Sequence, residues 1–153
     1  MILIIVYLIL FLAGLGYLII TVITGGAPNW VMEYKLATLC CLIGGVGGVV
    51  YCLRGVYLNR AVRDQWDRRW HVWYYLRPIV SVVCGGASYL VLKAGLLILE
   101  ASADQEATHF GFIAFAFIAG LNVDKFITKI EDIAQTTWGI EKSRTAKESE
   151  KDK

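Results

Sequence analysis

Charged residues are scarce in this sequence, and they are unevenly placed. Asp, Glu, Lys and Arg make up 18% of the 153 residues, whereas apolar residues make up 57%, and the mean hydropathy is +0.56. The charges cluster in the middle and at the end, so the long apolar runs are nearly free of them. So much apolar surface exceeds what one small water-soluble core can bury. We therefore expect an integral membrane protein.

Motifs that carry chemistry are also missing. The four cysteines form no C-x-x-C pair, and neither histidine stands at a metal-ligand spacing from them. We interpret the cysteines as packing residues rather than as a metal or redox site. No cluster of His, Asp, Glu, Ser or Cys marks one membrane face, and no pattern of a nucleic-acid-binding fold occurs. We predict no enzyme, no cofactor, no metal and no nucleic-acid partner.

Four apolar runs are candidates to cross a bilayer, which requires about 20 helical residues for a hydrocarbon core of about 30 Å. Residues 1–23 lack the basic start and cleavage site of a signal peptide, so we expect a retained first span. The second and third spans are predicted at residues 36–53 and 79–99, with Pro78 in the first turn of the third helix. Residues 108–123 form a shorter run that either crosses a thin bilayer or re-enters.

The predicted fold class follows from these runs. It is all-α, an integral membrane bundle of four transmembrane helices that occupies residues 1–139. A cytoplasmic amphipathic helix is predicted at residues 124–138, where apolar residues share one helical face, and Gly139 is its stop signal. Residues 140–153 are polar and charged almost throughout, which predicts a disordered tail.

Residues 54–78, a basic and aromatic loop, join the second and third runs. They combine six arginines with interleaved tryptophan and tyrosine, which is typical of a cytoplasmic membrane interface. A helical period carries the aromatic residues along one face from Tyr57 to Trp73, and this predicts an amphipathic helix at headgroup depth. It serves as a topological anchor, as a site for anionic lipids, or as a docking surface for a soluble partner. The candidate binding residues are Arg60, Arg63, Trp66, Arg68, Arg69, Trp70 and Trp73.

The distribution of cations predicts the orientation. Lys and Arg number six in residues 54–78 and seven after the fourth run, against one in the first loop and none in the third. The positive-inside rule then places both termini in the cytoplasm. We expect a multi-pass protein of a prokaryotic inner membrane.

The second run is the most glycine-rich part of the chain, and the third run offers a matching row of small residues. Such residues let two helix backbones approach closely in lipid. We expect them to pack within the chain, between copies of it, or around a pore. The candidate helix-packing residues are Cys40, Gly44, Gly45, Gly48, Cys52, Ser81 and Gly85.

Lys93 is the one ionisable residue within the apolar runs, and it is the candidate intramembrane charge. It precedes Glu100 by seven residues, or roughly 10 Å of helix. Its side chain either reaches the far interface, pairs with another helix, or takes part in transport. No Asp or Glu within another run completes a proton relay.

Three segments carry a resemblance: YYLRP before the third run, LVLKAGLLIL at its end, and FIAFAFIAGLNVDKF after it. Together they are similar to a group of uncharacterised small prokaryotic four-span membrane proteins. The resemblance implies a four-span architecture and no catalytic or binding residues.

Two classes of function fit these patterns. The first is a structural or interaction protein, an accessory or scaffold subunit that assembles through its small-residue faces and presents the basic aromatic surface to a partner. The second is a homo-oligomeric channel or membrane-perturbing effector. The expected partners are the lipid bilayer, including anionic lipids, and further copies or subunits of a membrane complex.

Overall fold

A computed structural model describes residues 2–62, 71–95 and 105–140 of the chain. Every regular element in these ranges is a helix, so the predicted all-α class is confirmed there. The helices are α1 (Ile2–Ile23), α2 (Asn29–Glu33), α3 (Lys35–Tyr57), α4 (His71–Lys93), α5 (Gln105–Leu121) and α6 (Val123–Trp138), and a π-helical turn, Leu58–Val62, continues α3.

Three of these helices, α1, α3 and α4, are long and apolar enough to span a membrane. Helices α5 and α6 meet the same criterion only as a pair, and the chain bends by 110° between them. The described part of the chain therefore has three such helices, or four if the bent pair is one span. Apolar helices of this length indicate a membrane protein.

Helix α3 lies at the centre and packs against α1, α4 and α5. Gly44 of α3 faces Gly85 of α4, and Gly55 faces Tyr74. The positions increase along α3 as they decrease along α4, so the two helices are antiparallel. Residues near the end of α3 and the start of α4 therefore lie at the same end of the bundle, which we call the arginine end.

Helix α1 packs along α3 through one stripe of large apolar side chains. Its remaining face is exposed, as lipid-facing side chains are. Tyr7 of α1 meets Tyr75 of α4, so α1 begins at the arginine end. The buried stripe consists of Ile4, Leu8, Leu15 and Val22.

The third helix begins and ends earlier than predicted. Helix α4 starts at His71, so Pro78 lies inside the helix rather than in its first turn. A bundle tolerates this because neighbouring helices can compensate for the lost backbone hydrogen bond. The helix stops at Lys93, and Gly95 adopts a φ of +70°. A helix C-terminus favours glycine in this left-handed conformation. The third helix therefore exists where it was predicted, but the predicted end at residue 99 was wrong.

The predicted amphipathic helix from Tyr57 to Trp73 is also corrected. Tyr57 is the last residue of α3, and Trp73 belongs to the first turn of the antiparallel α4. The two aromatic side chains therefore lie on different helices. Residues 63–70 lie outside the described residues.

The fourth apolar run does not continue straight into the C-terminal helix. Helix α5 ends at Leu121, Asn122 leaves the helical conformation with φ −119° and ψ 49°, and α6 departs at 110°. Gly139, with a φ of +69°, follows the last residue of α6 and donates its N–H to the carbonyl of Gln135.

Candidate functional site

The small-residue rows of α3 and α4 face each other. A β-carbon at Gly44 would lie 2.6 Å from the Cα of Gly85, and a β-carbon at Gly85 would collide with the carbonyl oxygen of Cys40. Side chains larger than hydrogen do not fit against backbone at such separations, so both positions require glycine. The structure thus brings together Cys40, Gly44 and Gly85 from the two predicted rows.

Gly48 makes room for Ser81 in the same interface, because a β-carbon there would overlap the serine side chain. Ser81 is fully buried. Its hydroxyl lies 2.9 Å from the carbonyl oxygen of Arg77 in its own helix and 3.0 Å from the carbonyl oxygen of Gly120 in α5. The serine therefore links α4 to α5 across the edge of α3.

Replacing Ser81 with alanine should lower the free energy of unfolding by about 0.5–1.5 kcal/mol, because the hydrogen bond to α5 is lost and the carbonyl of Gly120 loses a donor. Ser88 is an equally buried control, and its hydroxyl bonds to Gly85 of its own helix at 2.7 Å. Ser88→Ala should lower the free energy of unfolding by less than Ser81→Ala does. Equal losses in a detergent unfolding titration would contradict the role of Ser81 between helices.

A second glycine face of α3 contacts α5. A β-carbon at Gly47 would lie 2.5 Å from the carbonyl oxygen of Phe117 and 2.9 Å from the N of Leu121. A β-carbon at Gly120 would collide with the carbonyl oxygen of Gly44. Sequence reasoning missed Gly47 and Gly120. The motif GGVGG was the available signal, since it places glycines on more than one side of a helix.

The remaining predicted packing residues lie where α1 and α4 both approach α3. A β-carbon at Gly45 would lie 2.6 Å from a methyl carbon of Val82 in α4 and 3.0 Å from a methyl carbon of Leu15 in α1. Cys52 is fully buried in the apolar core that α1, α3 and α4 share. The small residues of α3 therefore meet α1, α4 and α5 of the same chain.

Arg77 is a buried cation next to this interface, with only 5% of its surface exposed. Its Nη1 donates to Oδ2 of Asp124 at 2.7 Å. The guanidinium carbon lies 4.7 Å from the ring centroid of Tyr51 and 5.2 Å from that of Trp73. Asp124 lies in the first turn of α6, where the helix dipole favours a carboxylate. The pair thus fastens α6 to α4 directly after the bend.

The structure places the basic and aromatic candidate residues in different surroundings. Arg60 is exposed in the turn that follows α3. Trp73 is half-buried, with its ring centroid 5.8 Å from that of Tyr51 and 5.1 Å from that of Tyr74, so it packs against the bundle. The other five candidates, Arg63, Trp66, Arg68, Arg69 and Trp70, lie outside the described residues.

Lys93 is exposed at the last residue of α4, not within a continuing helix. Its Nζ lies 5.5 Å from the ring centroid of Tyr89. A cation at this position interacts favourably with the helix C-terminus. The helical spacing that related it to Glu100 does not continue past the turn at Gly95, and Glu100 lies outside the described residues. The role of Lys93, whether it reaches the interface, pairs with another helix or takes part in transport, stays a prediction.

No protein-family model matches the chain, and no curated protein or solved structure is significantly similar to it. The resemblance to small prokaryotic four-span membrane proteins therefore stays a prediction.

Proposed function

We propose that this chain is a small polytopic membrane protein that acts as an accessory or scaffold subunit of a larger membrane complex. The proposal depends on one observation: the small-residue faces of α3 are already packed against other helices of the same chain. Gly44 and Gly48 are covered by α4, and Gly47 is covered by α5. Close packing of this kind supports a rigid unit whose outer surfaces remain for other molecules.

The surface offered to a partner lies at the arginine end. Arg54, Tyr57 and Arg60 are exposed there, where the π-helical turn extends α3. Arginine and tyrosine are both enriched in protein interfaces. The positive-inside rule supports a cytoplasmic location for this end.

A homo-oligomeric channel or membrane effector is the weaker proposal. A pore lined by the glycine faces of α3 would need those faces to be open between copies. A β-carbon at Gly44 would already lie within 2.7 Å of the carbonyl oxygen of Ser81, so backbone atoms fill the space that a pore would need.

The proposal predicts a second protein at fixed stoichiometry when the chain is extracted in native lipid nanodiscs and weighed by native mass spectrometry. Arg54→Gln combined with Arg60→Gln should raise the dissociation constant of this second protein at least about fivefold, equivalent to about 1 kcal/mol of binding energy. Lys35→Gln combined with Lys93→Gln is the control, because these lysines lie at the opposite end. A closed ring of this chain alone, unaffected by either variant, would favour the channel instead.

A further inference from the structure

Contacts between helices place four polar or aromatic side chains at one level of the bundle. The hydroxyl of Tyr7 in α1 donates to the carbonyl oxygen of Tyr75 in α4 at 3.2 Å. One turn or less away, Arg77 of α4 lies over Tyr51 of α3 and pairs with Asp124 of α6. We call this level, defined by Tyr7, Tyr51, Arg77 and Asp124, the tyrosine–arginine level.

On the α1 side, apolar surface continues beyond this level. Ile2 and Leu3 are 71% and 77% exposed, and Val6 is exposed beside Tyr7. The whole of α1 is uncharged over 22 residues, which is about 33 Å of helix. This face therefore matches an ordinary hydrocarbon core of about 30 Å.

On the α5–α6 side, charged side chains begin at the tyrosine–arginine level. The side chain of Asp124 is 77% exposed, and Lys125 and Lys129, which follow it in α6, are exposed as well. His109 is exposed near the other end of α5, and the helix rises by twelve residues from there to its end at Leu121, or about 18 Å. This face is therefore about 12 Å shorter than a typical hydrocarbon core of about 30 Å.

The bend after α5 directs α6 across the bundle rather than along it. When α5 stands upright in a bilayer, the 110° bend places α6 within 20° of the membrane plane. Val123 and Phe126 are buried against Cys84 of α4, while the lysines point outward. A helix of this kind presents cations along a plane, at the depth where its short neighbour ends.

We propose that the α5–α6 face binds the phospholipid headgroups of a thinned leaflet, so that the bilayer is thinner beside α5–α6 than beside α1. This inference rests on the proposed membrane architecture and names the partner of one of its surfaces. Charged side chains in hydrocarbon are strongly unfavourable, whereas local thinning costs little per ångström. Headgroups that descend to Lys125 and Lys129 supply phosphate groups to these lysines and water to Asp124.

Spin labels at two positions of the same level test the proposal in phosphatidylcholine vesicles that contain anionic phosphatidylglycerol. One label is attached to a Val6→Cys variant on the α1 face, and the other to a Lys125→Cys variant on the α5–α6 face. The unsubstituted chain, treated identically, gives the background from the four native thiols. Power-saturation measurements then compare collisions with oxygen, which concentrates in hydrocarbon, and with a water-soluble nickel chelate.

We expect the label at position 6 to collide mainly with oxygen and the label at position 125 mainly with the nickel chelate. Oxygen contact at both positions would overturn the thinned leaflet and leave the proposed subunit role standing. Shielding of position 125 from both reagents, with dipolar broadening, would overturn it in favour of a second copy on this face. Nickel contact at both positions would contradict the membrane architecture itself.

Removal of the two cations gives an independent test. Lys125→Leu combined with Lys129→Leu removes the two cations that keep α6 out of the hydrocarbon. The α5–α6 face then no longer requires a thinned leaflet, so the acyl-chain length of greatest thermal stability should shift from short myristoleoyl chains to longer oleoyl chains. Lys35→Leu, at the opposite end of the bundle, is the control and should shift the optimal acyl-chain length less than the double variant does. An identical optimum for the double variant and the unsubstituted chain would overturn the proposal.

Discussion

Replacing Gly44 with alanine is expected to lower the free energy of unfolding by about 1–3 kcal/mol, even though alanine favours an isolated helix over glycine by about 1 kcal/mol. A β-carbon at Gly44 would lie 2.6 Å from the Cα of Gly85 and 2.7 Å from the carbonyl oxygen of Ser81. Both are backbone atoms of α4, so rotation of a side chain cannot relieve the clash. The helices must separate, and the contact between Ser81 and Gly120 weakens with them. Thermal or detergent-induced unfolding of the purified protein measures the loss.

Two other glycines are matched controls for this substitution. Gly14 in α1 and Gly111 in α5 are also helical, and beyond the backbone of the same helix no atom lies within 4 Å of a β-carbon at either position. Alanine at these positions should leave stability unchanged or raise it by up to about 1 kcal/mol. Equal destabilisation at Gly44 and Gly14 would show that glycine is needed for a reason other than close contact between α3 and α4.

Replacing Asp124 with asparagine is expected to destabilise the fold by about 1–3 kcal/mol, and by more than the replacement of Arg77 with methionine. The first change leaves a buried guanidinium without its carboxylate, whereas the second removes that charge and leaves Asp124 in contact with solvent. Loss of one partner from a fully buried pair costs about 3–5 kcal/mol. The expected value here is lower, because the Asp124 side chain is 77% exposed and solvent screens part of the interaction.

A double-mutant cycle measures this coupling. The combined variant, Arg77→Met with Asp124→Asn, should be about as stable as Arg77→Met alone. Once the arginine has been replaced, no buried charge is left without a partner when Asp124 becomes asparagine. Gln135→Ala, at an exposed position of the same helix, is the control and should change stability by less than about 0.5 kcal/mol. Additive losses in the cycle would contradict a direct contribution of the ion pair to holding α6 against α4.

The spacing of small residues could be predicted from the sequence because it is a local property of one helix. Cys40, Gly44 and Gly48 recur every fourth position, and any straight helix brings such residues onto one face. The helix to which this face binds is not a local property. The contact with Ser81 and Gly85 followed from a similar row in the third run, whereas the contact of Gly47 with α5 depends on a third helix that enters from the other side.

Arg77 shows why the rest of the candidate site could not be predicted. It was grouped with the other arginines of residues 54–78, which suggested an exposed headgroup contact. Its partner, Asp124, is 47 positions away in the sequence. Asp124 lies next to Arg77 only because the chain turns at Asn122. One signal was present, since Arg77, Ser81 and Gly85 are spaced by four and therefore share the buried face of α4.

The ends of α4 also differ in how far they could be predicted: one depends on a local sequence signal, and the other depends on packing between helices. Gly95 follows Lys93 as glycine commonly follows the last turn of a helix, and this signal could have ended the predicted third helix six residues earlier. Pro78 is the opposite case. Proline normally favours a helix start, and only the packing of α4 against α3 accounts for a helix that begins at His71 and passes through it.

The central claim is that the close contact between α3 and α4 lies within one chain, and Gly86→Cys tests it directly. A β-carbon at Gly86 would lie 2.8 Å from the Sγ of the native Cys41 across this contact, which is close enough for a disulfide to form. Oxidation in membranes should give a monomer with an internal cross-link, visible as a reducible shift in gel mobility, and Gly14→Cys should give no such monomer. A cross-linked dimer of the Gly86→Cys variant, with no internally linked monomer, would contradict the account, because the small-residue faces would then join two copies of the chain.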